Sequence, residues 1–287
     1  MKILDTVSDI VKLFFGFLYK HAVPILAVGT FAMLMLLVHK KAYDYLISTE
    51  EFNINLGTMK LSVQPDWASA WYNSTIELPP PSEEEICIFN KDIVETVAKH
   101  YEANPWVEKV DCVEKVFPDK LRVRLTLRKP VAVVEKSGWY YLVDAEETRL
   151  PGQYAQEETF QIGLSAIVRV NEPLPEPGQK WTGDGVKSGI AVLQALKDNG
   201  FNEMLKIYAV DVENIGGKMN PLQSEIVVWA DNMVPVMWGK SPYSTKFGEL
   251  SVDKKLENLK AVLSARPRLE GLRCVKIQFE RPYVTLK

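Results

Sequence analysis

An α+β fold behind a single N-terminal transmembrane helix is what this 287-residue sequence predicts. Three observations carry that expectation. Residues 22–38 contain no charged side chain, residues 121–127 alternate strictly between apolar and polar, and helical segments interrupt the strand-like ones irregularly instead of following each in turn. No G-x-G-x-x-G follows any strand, which removes the doubly wound dinucleotide folds.

The uncharged run lies between His21 and His39. At about 1.5 Å per residue it reaches roughly 26 Å, a little short of a hydrocarbon core of about 30 Å. Neutral histidines with Tyr19 and Ala42 make up the deficit, while Lys20, Lys40 and Lys41 snorkel to the interfaces. Residues 39–45 read HKKAYDY and offer no small-residue cleavage site, so 21–42 is read as a retained anchor rather than a signal peptide. Lys2, Lys12 and Lys20 before the span against Lys40 and Lys41 after it place residues 1–20 in the cytoplasm. Residues 11–19 fit either an interfacial helix or an extension of the span. Pro24 stands near the start of the run, where a missing N–H matters least. Residues 43–56 are a tether.

Beyond the tether, Ile93, Val94, Val97 and Ala98 recur at helical spacing over residues 91–100, and Asn104-Pro105 breaks the chain. Residues 107–116 are strand-like and Phe117-Pro118-Asp119-Lys120 supplies a turn. Then Leu121, Val123, Leu125 and Leu127 share one face of a strand whose other face holds Arg122, Arg124 and Thr126. The result is a hairpin backed by a helix, with Trp106 as a packing anchor between them. Arg128-Lys129-Pro130 is expected to close the strand with solvated charge and a proline that blunts the sheet edge.

A second unit starts near Trp139 with an aromatic strand over 139–143, a turn over 144–152 and a Pro- and Gly-bearing loop over 171–185. A helix at 186–196 follows, then three successive antiparallel strands at 207–212, 225–229 and 233–238, a charged helix at 252–263, and strands at 274–279 and 283–286. The last strand has no following segment to cover it, so one backbone edge stays open for a partner to add a strand. Phe279 and Tyr283 there either contact that partner or face the core.

Most chemistry is disfavoured by what the chain contains. With 34 Lys+Arg against 37 Asp+Glu there is no basic excess for nucleic acid. Cys87, Cys112 and Cys274 form no C-x-x-C, and with only three histidines no ordinary zinc site assembles; a Cys87–Cys112 disulfide stays open. His100, on a predicted helix, is the only histidine distant from the span, so a Ser-His-Asp or Cys-His centre has nothing else to rest on. Gly239-Lys240-Ser241 imitates the end of a phosphate loop, but Val234 stands where its first glycine is required. Glu83-Glu84-Glu85 and Glu146-Glu147 read as solvated charge. No catalytic group, cofactor, metal or small-molecule substrate is expected.

Asn104-Pro105-Trp106-Val107, then Phe117-Pro118-Asp119-Lys120-Leu121-Arg122-Val123, then Arg128-Lys129-Pro130-Val131-Ala132 resemble, in order and spacing, motifs of the FtsQ/DivIB family of bacterial cell-division proteins. Tyr141-Leu142-Val143-Asp144 with Leu150-Pro151, and Val236-Met237-Trp238-Gly239 further on, resemble that family as well. The resemblance implies a POTRA domain of β-α-α-β-β type at 57–136, carrying Pro105, Trp106, Val107, Pro118, Leu121, Pro130, Val131 and Ala132 as its signature. It implies an FtsQ-type β domain at 137–287 with an antiparallel sheet and flanking helices. Both domains would be extracytoplasmic, on a single-pass protein of the inner membrane at the division site. The implied function is non-enzymatic: recruitment of bitopic division proteins resembling FtsB and FtsL through Phe279, Arg281, Tyr283, Val284, Thr285 and Leu286. Three places depart from the family: Met59-Lys60-Leu61-Ser62-Val63 leads into Pro65-Asp66-Trp67, Glu147 replaces a glycine, and Gln278 replaces an arginine. The alternative is a POTRA-bearing component of protein transport or envelope assembly, for which repeated POTRA units or barrel strands are expected and are not visible in the sequence.

Overall fold

A computed structural model describes residues 2–58, 61, 65, 67–68, 70–245 and 248–287. Of the segment compared with the family's first strand, Met59, Lys60, Ser62 and Val63, and Asp66 after it, lie outside the described residues. Helix α1 (Lys2–Ser48) contains Pro24 and is continuous. Its part Val11–Ser48, which holds an 18-residue stretch of mean hydropathy 2.1, is long and apolar enough to cross a membrane. Residues 11–19 thus extend the same helix. The tether is shorter than expected, because Ala42-Tyr43-Asp44-Tyr45-Leu46-Ile47 holds no Gly or Pro to stop the helix. It ends where the hydroxyls of Ser48 and Thr49 donate to the Tyr45 carbonyl at 2.9 and 2.8 Å.

The chain then divides into two compact units, one of residues 1–60, 80–97 and 113–122, the other of 61–79, 98–112 and 123–287. After β1 (Asn53–Asn55) come α2 (Ala70–Thr75), β2 (Glu85–Cys87), α3 (Ile93–Glu102), β3 (Val107–Val116) and β4 (Lys120–Leu127). In the first unit β1 pairs antiparallel with β2, with Ile54 opposite Ile86. Ile54, Leu56, Ile88, Ile93 and Val97 are buried, and the Phe89 ring lies 5.2 Å from Phe52 and 5.5 Å from Phe117. β3 and β4 form a two-stranded sheet. Along β4 Arg122, Arg124 and Thr126 are exposed while the alternate aliphatics are covered, as the period of two requires.

The second unit is built on eight strands. They are β5 (Pro130–Lys136), β6 (Trp139–Asp144), β7 (Ala166–Val168), β8 (Ile207–Asp211), β9 (Ile226–Ala230), β10 (Val234–Gly239), β11 (Leu272–Lys276) and β12 (Tyr283–Leu286). Between them lie α4 (Gln156–Ile162), α5 (Asp184–Asp198), α6 (Phe201–Met204) and α7 (Val252–Ala265). The spatial order is β12-β11-β10-β9-β8-β7-β5-β6. The expected run β8, β9, β10 is antiparallel, but β5–β7, β7–β8 and β10–β11 are parallel, so the sheet is mixed rather than antiparallel. The reason is topological: parallel neighbours need a long crossover, and α5 and α7 lie in the β7–β8 and β10–β11 crossovers.

Strand β5 was not expected. Ala132, Val133 and Val134 are all buried, so the strand lacks the alternation that exposes a sequence pattern. Ser137 and Gly138, both with positive φ, turn β5 into β6, so the expected start of the second domain falls inside a hairpin of this sheet. The strand end 128–130 also differs from expectation. Arg128 is largely buried and its Nη1 donates to Asp144 Oδ2 at 2.9 Å, and Pro130 is buried in the sheet. The arginine neutralises a carboxylate that burial would otherwise make costly.

One apolar layer joins Ile190, Val192 and Leu196 of α5 and Leu256, Leu259 and Val262 of α7 to Val134, Ile167, Val210, Val228, Val236 and Val275 of the sheet. Gly189 lets α5 approach: a Cβ there would stand 2.9 Å from Ile167 Cγ2. A second cluster gathers Trp106, Tyr72, Val133, Leu142, Leu150, Tyr154 and Ile162. Burial pushes the Tyr72 and Tyr154 hydroxyls up to about 12.

Candidate interaction edge

A sheet of eight strands has two edges, and only one is open among the described residues. Beyond β6 the chain folds back over residues 148–154. There Leu150 N donates to Leu142 O at 2.9 Å, Asp144 N to Thr148 O at 3.1 Å, and Tyr140 and Tyr154 exchange both backbone bonds at 3.0 Å. Residues 148–154 thus cover that edge. At the other end β12 pairs with β11 alone, Lys276 opposite Tyr283 and Val275 opposite Val284.

The sequence-selected residues at this end come together. Phe279, Arg281, Tyr283, Val284 and Leu286 are exposed and Thr285 is half-buried. Phe279 and Tyr283, exposed by 51% and 58%, therefore do not belong to the core. Lys276 Nζ lies 5.9 Å from the Tyr283 ring centroid, which pairs an ammonium with an aromatic face at the edge. The signature residues form no single site. Trp106, Val107, Pro130 and Ala132 are buried, Pro105, Val131 and Leu121 are half-buried, and Pro118 is exposed in the β3–β4 turn.

Two places that suggest anion binding are filled by the chain itself. Glu172 Oε1 accepts from Gly185 N at 2.6 Å in the first turn of α5, where a bound phosphate would otherwise use the free amides. Replacing Glu172 with alanine is expected to destabilise the protein by about 1 kcal/mol, the usual loss of a helix cap, in equilibrium unfolding. At Gly239-Lys240-Ser241, the Lys240 N–H donates to Glu249 Oε1 at 3.2 Å. Glu249 also pairs with Lys255, which is 1% exposed, faces the Trp238 ring at 5.2 Å and donates to Lys240 O at 3.3 Å. Burial lowers the proton affinity of Lys255, against the opposing pull of Glu249. This network, which sequence reasoning missed, holds the loop between β10 and α7 beside a cavity of about 310 Å³.

A larger cavity of about 600 Å³ is lined by Val133, Leu164, Ala166, Leu205 and Ile207, and the Ser165 hydroxyl in its lining donates to the Ile207 carbonyl at 2.9 Å. All three cysteines are free thiols, and among the described residues no three His, Cys, Asp or Glu side chains come together to hold a metal ion.

No family model matches the chain. Over 76 residues, 26% of its length, the chain is 32% identical to the cell division protein FtsQ of Koribacter versatilis (strain Ellin345), of which that stretch covers 22%. Across that stretch the chain is similar to FtsQ, the family that its own motifs resemble.

Proposed function

We propose that this protein is a non-enzymatic, single-pass scaffold of the bacterial cell-division complex. Anchored in the inner membrane by α1, with its N-terminus cytoplasmic, it presents outside the membrane a POTRA domain that starts near residue 57 and a β domain that starts with β5 at Pro130. It recruits other bitopic division proteins, resembling FtsB and FtsL, by strand addition to β12. The observation that carries this reading is the asymmetry of the sheet, with the β6 edge covered by residues 148–154 and the β12 edge uncovered among the described residues beside exposed Phe279 and Tyr283. Modest interfaces suffice, since confinement of both partners to one membrane raises their effective concentration.

The test is a fluorescent fusion to the N-terminus of the full chain, imaged in dividing cells with and without residues 283–287. The full chain is expected in a midcell band, and the truncated one is expected to lose partner recruitment. Uniform membrane fluorescence through the cell cycle would exclude the division role.

A further inference from the structure

A polar side chain buried on an apolar helix face needs a reason, and α7 carries one at Asn258, 5% exposed beside Leu256, Leu259 and Val262. Its Nδ2 donates to two carbonyls, Ile277 O at 3.1 Å and Phe279 O at 2.8 Å. Alternate carbonyls of an extended chain point the same way, so one amide group serves as the neighbour that the chain lacks after β11 ends at Lys276. Two further contacts seat this link. Ile277 N donates to Met237 O at 3.2 Å, and Gln278 packs over Gly239, where a Cβ would stand 2.9 Å from Gln278 Cβ. The link 277–282 is thereby tied to α7 and β10, and it leads directly into β12, a four-residue strand with one neighbour.

We propose that Asn258 is the positioning residue of the docking edge: by holding the carbonyls on either side of Gln278, it fixes Phe279 outward and sets the start of β12. This rests on the docking role of β12 proposed above. A short edge strand entered through a loose link frays, and ordering it on binding weakens the partner's affinity. Asn258 supplies that order in advance from inside the fold, without touching the partner.

The experiment compares full-length wild type and Asn258→Leu, which keeps the bulk of the side chain and removes its donors. Hydrogen exchange is measured in detergent micelles, and crosslinking in dividing cells from a photoreactive residue at position 284. Loss of both hydrogen bonds is expected to speed exchange over 278–286 by about tenfold or more. Exchange in β8, β9 and β10 stays unchanged, and crosslinked adducts fall several-fold at equal membrane abundance. Leu259→Ala is the control for general loosening, since it thins the same helix face without touching either carbonyl; its adducts per folded molecule are expected to match wild type. Unchanged exchange over 278–286, or faster exchange with undiminished adducts, would overturn the positioning role. So would an equal loss of adducts in Leu259→Ala. Absence of adducts in the wild type would instead overturn the docking reading on which the role depends, whatever the exchange shows.

Discussion

Glu249→Ala is expected to destabilise the protein by about 3–5 kcal/mol, the usual consequence of stranding a buried charge. Lys255 is 1% exposed, and without Glu249 its ammonium loses its ion-pair partner and is left facing the Trp238 ring and the Lys240 carbonyl. Glu225 also favours its charged form, less than Glu249 does. The variant also frees the Lys240 N–H, so the Gly239-Lys240-Ser241 turn loosens with it. The pH dependence follows from the direction of the shift. Burial already lowers the Lys255 proton affinity, and loss of Glu249 lowers it further. The unfolded chain then binds that proton more tightly than the folded one. Stability of the variant therefore rises as pH climbs from the folded value towards the ordinary lysine value, and the deficit is largest below that window. Unfolding of the full chain in micelles at neutral and alkaline pH measures both effects. A deficit under about 1 kcal/mol would mean that Lys255 reaches water. Combining Glu249→Ala with Lys255→Met should recover much of the loss, because the charge needing a partner is then gone.

Trp106→Ala is expected to cost about 3–5 kcal/mol, the range for removing a large aromatic from a core. The indole is 1% exposed among Tyr72, Leu142, Leu150, Tyr154 and Ile162. No acceptor for its Nε1–H exists among the described residues, so packing rather than hydrogen bonding holds it. Its backbone is pinned as well, with its N–H on Asn104 Oδ1 at 2.9 Å and its carbonyl accepting from Arg128 N at 2.9 Å. The residue of the Pro-Trp-Val motif therefore acts as a core anchor. Equilibrium unfolding decides the matter: a loss below about 1.5 kcal/mol would show that the surrounding rings close over the cavity.

Elements set by local covalent geometry were legible from the sequence. The uncharged run of residues 22–38 required a helix of membrane length, since apolar length alone decides that. The alternation over 121–127 required a strand with one covered face. Apolar spacing marked α3, α5 and α7 to within a few residues at either end. The last strand was read as Tyr283–Leu286, the bounds it has in the fold.

What needed the tertiary structure depends on residues far apart in the chain, and no local period encodes it. Strand β5 is covered on both faces and β7 has only three residues, so neither alternates. The parallel pairs depend on where the crossovers land. Arg128 was read as a solvated strand end, but Asp144 lies against it, and no local pattern marks Glu249 as the partner of a buried Lys255. The edge itself divides the same way. Composition marked β12 as a strand, whereas its openness is a property of the whole sheet. Long-range pairing closed the β6 edge with residues 148–154, left β12 with a single neighbour, and set Asn258 of α7 against the carbonyls that lead into it.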